Sequence, residues 1–179
     1  MDRFTLAVRQ AIDQHNWLAA LSLSLMIPDI CARAVDPKRS VGDRYSAWFD
    51  EWVTPKYTAY LGPSWDQTRH IFMTGGDAYA LRCALLHEGR DDVTEQRSKK
   101  ALASFKFVFP TQSGRIHRTQ LGSHLILDCG EFCLEICDSA EAWAASVSAD
   151  EAIQRRLRGL LSIDPAGLNI LGIVPGPAS

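Results

Sequence analysis

Arg82 and His87 are the residues whose types and spacing most directly invite chemistry. A guanidinium offers a planar fork of donors to phosphate or carboxylate. An imidazole, with a reference pKa of about 6.5, moves protons near neutral pH. Both lie in the stretch Thr74-Gly-Gly-Asp-Ala-Tyr-Ala-Leu-Arg-Cys-Ala-Leu-Leu-His-Glu-Gly89. There the spacing predicts a helix of about three turns, with Asp77 as N-cap and Gly89 as C-cap. Its apolar face is Ala78, Leu81, Leu85 and Leu86. On a regular α-helix, residues five apart are about 140° apart around the axis and about 7.5 Å apart along it. The two side chains would therefore not stack, but they can converge on one anion beyond the helix end. Two other readings stand beside this one. Arg82 can pair with a buried carboxylate such as Asp43 or Asp77 while His87 only caps the helix. Cys83, four residues before His87, can form a Cys–His pair or simply fill apolar space.

Other chemistries are poorly served. No Gly-x-Gly-x-x-Gly or Gly-Lys-Ser/Thr run is present to cradle phosphates. Asp50-Glu51 and Asp91-Asp92 are adjacent in sequence and look solvated rather than paired across a site. Cys129, Cys133 and Cys137 recur every four residues. On a straight helix the outer two would stand about 12 Å apart, too far to share one tetrahedral ion. Buried, inert thiols are expected, and no metal or cofactor is.

Arg82-Cys-Ala-Leu-Leu-His87 resembles the Arg-x(4–6)-His motif of the HEPN domain family, whose members are all-helical and largely prokaryotic. The likeness spans roughly residues 1–145. It rests on the leucine-rich helix, Leu85-Leu86 before the histidine, Gly89 two residues after it, and the helical segments upstream. The family commonly has a polar residue directly after the arginine, and here that residue is Cys83. The resemblance implies a helical bundle in which two copies meet to form a metal-independent ribonuclease site. Arginine there steadies the phosphate, and histidine assists attack by the ribose 2′-OH, leaving a 2′,3′-cyclic phosphate and a 5′-hydroxyl. It also implies a toxin–antitoxin or defence setting with a cognate antitoxin as partner. The alternative it offers is a non-catalytic relative that binds RNA or a nucleotide, or acts as a protein scaffold. One Arg–His pair is thin for acid–base catalysis, and a two-fold partner would supply the missing group, so a homodimer is expected. Arg69, His70 and Arg90, on polar segments flanking the motif helix, are the expected substrate contacts.

The elements that must position these residues are mostly helical. The chain has 179 residues, 46% apolar and 22% charged, which suits one soluble domain. Its net charge of −2 excludes a uniformly basic nucleic-acid clamp. The charge is uneven, with an excess of Arg and Lys over 90–120 and only Asp and Glu over 121–151. Five cysteines suggest reduced thiols. No signal peptide and no membrane-length apolar run is expected, which places the protein in the cytoplasm without membrane contact.

Amphipathic helices are expected over 3–16 and 17–27, the latter ended or kinked by Pro28. Another should follow Asp43 as N-cap, its face made by Tyr45, Trp48, Phe49, Trp52 and Val53. Residues 56–76 are expected to be irregular or weakly helical. Strands are expected at 105–109 and 124–128, joined as a hairpin across a basic loop. Helices at 131–147 and 151–161 then close the bundle. The expected fold is mainly α: one helical domain over 1–163 with a small β-hairpin at 105–128, then a Gly/Pro-rich tail at 164–179.

Overall fold

The computed structural model describes residues 1–95, 102–109, 116–161 and 163, so the tail expected at 164–179 lies outside the described residues. Among them are six α-helices and two small sheets, the mainly helical class expected. Helix α1 (Asp2–Asp13) buries Val8 and Ala11, and α2 (Trp17–Val35) starts under an Asn16 cap that accepts the Ala19 N–H. Helix α3 (Val41–Trp52) buries Tyr45, Trp48 and Phe49, so the aromatic stripe is core. Its N-cap is Ser40 rather than Asp43. The Ser40 hydroxyl accepts the Asp43 N–H and donates to the Asp43 carboxylate, which puts the aspartate three residues inside the cap.

Pro28 does not end α2; the helix continues through it to Val35. Lacking an N–H, Pro28 cannot donate to the Ser24 carbonyl four residues back. In the same turn the Leu25 carbonyl accepts the buried Tyr45 hydroxyl at 3.2 Å, which ties α2 to α3. Against expectation, α2 is also long and apolar enough to cross a membrane by length and composition. Half of its apolar window is buried in the fold, against α1, α3 and α5 (Cys129–Ser146).

A 3-10 turn at Thr54–Tyr57 follows α3 and leads into an antiparallel pair, β1 (Thr58–Leu61) with β2 (Thr68–Ile71). The sequence concealed this pair because its strands bury no residue fully and do not alternate. Helix α4 (Gly75–Cys83) carries the motif. Beyond it lie β3 (Ser104–Val108), β4 (Thr119–Leu121) and β5 (His124–Asp128). Here too the expected arrangement fails. β3 and β5 pair in parallel, and β4 is the antiparallel neighbour of β5 across the tight turn at Gly122-Ser123. The chain from 109 to 123 supplies the dozen or more residues that a parallel return requires.

Helix α5 buries Phe132, Cys133, Ile136, Cys137, Ala140 and Trp143 against α1 and α2. Helix α6 (Glu151–Arg158) is shorter than expected and ties back to α2, where Arg156 donates to the Ala34 carbonyl at 2.6 Å.

Candidate functional site

Helix α4 begins with a capping box. The Thr74 hydroxyl accepts the Asp77 N–H, and the Asp77 carboxylate accepts the Thr74 N–H, so the cap is Thr74 and not Asp77. Buried Asp77 also accepts the Leu102 N–H at 3.2 Å, which fastens the start of the helix to the segment before β3. Gly75 fits because a Cβ there would lie 2.1 Å from the Ser46 carbonyl oxygen. Helices α3 and α4 therefore meet backbone to backbone at this point.

The far end of α4 opens into a π turn over Ala84–Glu88, closed by Gly89 in the left-handed conformation at φ 66°. This winding decides the site. A π turn takes one residue more than an α turn, so residues five apart come nearly into line. Arg82 and His87, expected to diverge, are in direct contact: Arg82 Nη1 lies 3.0 Å from His87 Nε2. A guanidinium can only donate, so the imidazole accepts at Nε2 and carries its proton on Nδ1. His87 is exposed, and Arg82 is 18% exposed.

The other side of Arg82 faces Asp29, on α2 one residue past Pro28. Arg82 Nη2 lies 3.3 Å from Asp29 Oδ2, and Arg44 Nη2 of α3 lies 3.0 Å from Asp29 Oδ1. Arg44 is 8% exposed and also donates to the Arg39 carbonyl at 3.1 Å. The carboxylate partner of Arg82 is thus Asp29, neither Asp43 nor Asp77. The Nε atoms of Arg44 and Arg82 are buried without a hydrogen-bond partner among the described residues. Next to them, burial and the Cys83 contact push the Tyr79 hydroxyl pKa up. Cys83 thus lies against Tyr79, while the contact at His87 comes from Arg82.

The remaining expected contacts scatter. Arg69 lies on β2 and lines a cleft beside α4. His70 is engaged elsewhere: its Nε2 lies 2.8 Å from Gln120 Oε1, joining β2 to β4. Arg90 is exposed and pairs with Glu88 at 3.4 Å.

A second polar cluster, absent from the sequence reading, centres on Glu135 of α5. Its carboxylate accepts the Tyr57 hydroxyl at 2.6 Å, His117 Nε2 at 3.2 Å and Arg118 Nη2 at 2.6 Å. Lys56 Nζ donates to the Glu135 carbonyl, and Arg118 donates to that of Lys56. The Asp128 N–H donates to His117 Nδ1, so the Nε2 proton points at Glu135. Burial by itself would raise the Glu135 pKa. The His117 and Tyr57 hydrogen bonds, with the Arg118 charge, outweigh it and hold the carboxyl below its usual range. The available signal was a lone glutamate inside the apolar stripe of α5. Every group in the cluster is turned inward on another, so it locks the segment before β4 onto α5 and the 3-10 turn.

The cysteines are free thiols, and all but Cys83 are buried. Cys133 accepts the Ser24 hydroxyl at 3.4 Å, and Cys137 lies 3.9 Å from the Thr5 carbonyl. Burial raises the Cys31 and Cys137 thiols, the latter to about 12. The Cys129 neighbour, together with burial, raises Cys133 further. These are packing residues, as their spacing implied.

No family model, curated protein or solved structure gives a significant match to the chain.

Proposed function

We propose that the protein is a metal-independent endoribonuclease that acts as a homodimer, with Arg82 and His87 of each copy in the site. The observation that carries this reading is the contact between Arg82 and His87 at the exposed end of α4. A guanidinium beside a neutral imidazole suits in-line attack by a 2′-OH. Arg82 would stabilise charge developing on the phosphorane oxygens. With the Arg82 contact exchanged for the phosphate, His87 Nε2 would take the 2′-hydroxyl proton, and the partner's histidine, in its protonated form, would protonate the 5′-oxygen leaving group. The products would be a 2′,3′-cyclic phosphate and a 5′-hydroxyl. A cytoplasmic setting with a cognate antitoxin belongs to the same proposal, as does the kinship with HEPN domains.

The ion pair between Arg82 and Asp29 favours a second reading. An arginine already neutralised by a carboxylate is less available to a phosphate, and it also braces α4 against α2. That describes a non-catalytic HEPN-like domain which binds RNA or a nucleotide, or serves as a scaffold. RNA cleavage in EDTA by wild type, Arg82→Ala and His87→Ala separates the two, once all three are shown to be folded and in one oligomeric state. Metal-independent cleavage lost in both variants supports the nuclease. No cleavage by wild type across several RNAs moves the assignment to the binding or scaffold domain.

A further inference from the structure

A cleft of about 750 Å³ lies along α3 and α4 with β2 as its third wall. That is within the usual volume of small-molecule sites. Arg39, Asp43, Asp50, Arg69 and Tyr79 supply its chemistry. Neither the Arg39 nor the Arg69 guanidinium has an ion-pair or hydrogen-bond partner among the described residues, whereas Arg44 and Arg82 are both committed to Asp29. Each carboxylate is half used. One Asp43 oxygen takes the Ser40 hydroxyl. One Asp50 oxygen takes the Gly75 N–H at 2.6 Å and the Thr54 hydroxyl at 3.0 Å. The cleft therefore offers two free guanidinium forks and two carboxylate oxygens still able to accept.

The hairpin that supplies Arg69 adds an aromatic. Tyr60 stands directly across the hairpin from Arg69, so the two share one face, and Tyr60 is 64% exposed. The cleft also adjoins the motif. Tyr79 lines it one helical turn before Arg82, and the Arg39 carbonyl holds Arg44, the other arginine on Asp29.

We propose that this cleft binds a ribonucleotide phosphate ester, with Arg39 and Arg69 on the phosphate, Asp43 and Asp50 accepting from sugar hydroxyls or base amino groups, and Tyr60 offering a stacking face. The pairing of cations with acceptors sets this ligand apart from a bare anion. A phosphate alone satisfies only the arginines and leaves the carboxylates facing an anion. A nucleotide carries both the anion and the donors. The inference deepens the nuclease reading by giving the RNA chain a seat on the helix that carries Arg82 and leads to His87, yet it also stands with a binding domain.

The test is equilibrium binding to the full chain of a short single-stranded RNA, the free nucleoside monophosphates and inorganic phosphate. The proteins are wild type, Arg39→Ala, Arg69→Ala, Tyr60→Ala and, as a charge-matched control, Arg158→Ala at the exposed end of α6. Arg39→Ala and Arg69→Ala should each weaken nucleotide binding about tenfold and lower the RNA salt slope by about one. Tyr60→Ala should weaken RNA severalfold, and Arg158→Ala should change nothing. Tighter binding of RNA than of the monophosphates assigns the site to a polymer, and the reverse assigns it to a free nucleotide. Inorganic phosphate binding as tightly as a nucleotide would overturn the proposal. So would equal loss in all arginine variants, or no nucleotide binding by wild type. Wild type that binds RNA through Arg69 but never cleaves it would sink the nuclease reading and leave the cleft standing. Cleavage with an unaltered KM in Arg69→Ala would do the opposite.

Discussion

Replacing Asp29 by Asn keeps the shape of that side chain and removes the charge that Arg44 and Arg82 share. Two charge-assisted hydrogen bonds are lost or weakened, at 3.0 Å and 3.3 Å. Such bonds contribute about 1.5–3 kcal/mol each, and the longer one belongs at the low end. The amide oxygen can still accept from one arginine. Arg44, at 8% exposure, has little means of rehydrating, whereas Arg82 is nearer solvent and keeps His87. The expected loss is about 2–4 kcal/mol, near but below that of stripping a fully buried pair, because Asp29 itself stays 21% exposed. For a chain of this size that lowers Tm by roughly 4–16 °C. Arg44→Met should approach the same loss. Arg82→Met should cost about 1 kcal/mol or less, because Asp29 retains Arg44 and methionine replaces the apolar stem. Urea unfolding at pH 7, followed by tryptophan fluorescence and far-UV circular dichroism, measures all three. The reasoning is refuted if Asp29→Asn is within about 0.5 kcal/mol of wild type, the range of an ordinary surface change. It is equally refuted if Arg82→Met costs as much as Asp29→Asn, since Arg82 would then be the keystone of the packing.

Glu135→Gln should cost about 1–3 kcal/mol at neutral pH by loosening Tyr57, His117 and Arg118 from α5. The wild-type carboxyl has a depressed pKa in the folded state. Its contribution is therefore full above the unfolded value of about 4.3 and fades as pH falls through the folded one, so the gap between the two proteins in urea midpoint should close in acid. Gly75→Ala should lose about 1–3 kcal/mol or more in the same unfolding assay, because its Cβ would meet the Ser46 carbonyl. Gly89→Ala, with open space around it, should cost only the left-handed strain of about 1–2 kcal/mol. Alkylation of the native protein near pH 8 should label Cys83 alone of the five thiols, and a Cys83→Ser variant should take up no reagent until it is unfolded.

Periodicity located α3 and α5 because a core face repeats locally, and the burial of Tyr45, Trp48, Phe49 and Trp143 follows from it. It could not disclose what lies across a contact. Pro28 looks like a stop, yet α2 runs through it, with the Tyr45 hydroxyl of α3 on the Leu25 carbonyl in the same turn. Strands at 105–109 and 124–128 are legible to within a residue, but alternation carries no direction, so the parallel pairing was invisible. At the site, the residue types of Arg82 and His87 were legible and their contact was not, because α-helical geometry turns them apart. Asp29 was hidden as one aspartate among many, and the Glu135 cluster draws on residues as far as 79 positions apart.

The π turn at the end of α4 separates distance along the chain from distance in space. Arg82 and His87 touch across five positions because the helix is widened there, and on an unwidened helix the same neighbours would be four positions apart. Loss of one residue between Ala84 and Leu86 would let the segment rewind and keep the pair together. A one-residue deletion at this point would thus be absorbed as winding. In descendants of such a chain the Arg-to-His interval can drift by one without breaking the constellation, so that interval is a property of the coil between the two residues and not of the chemistry they share.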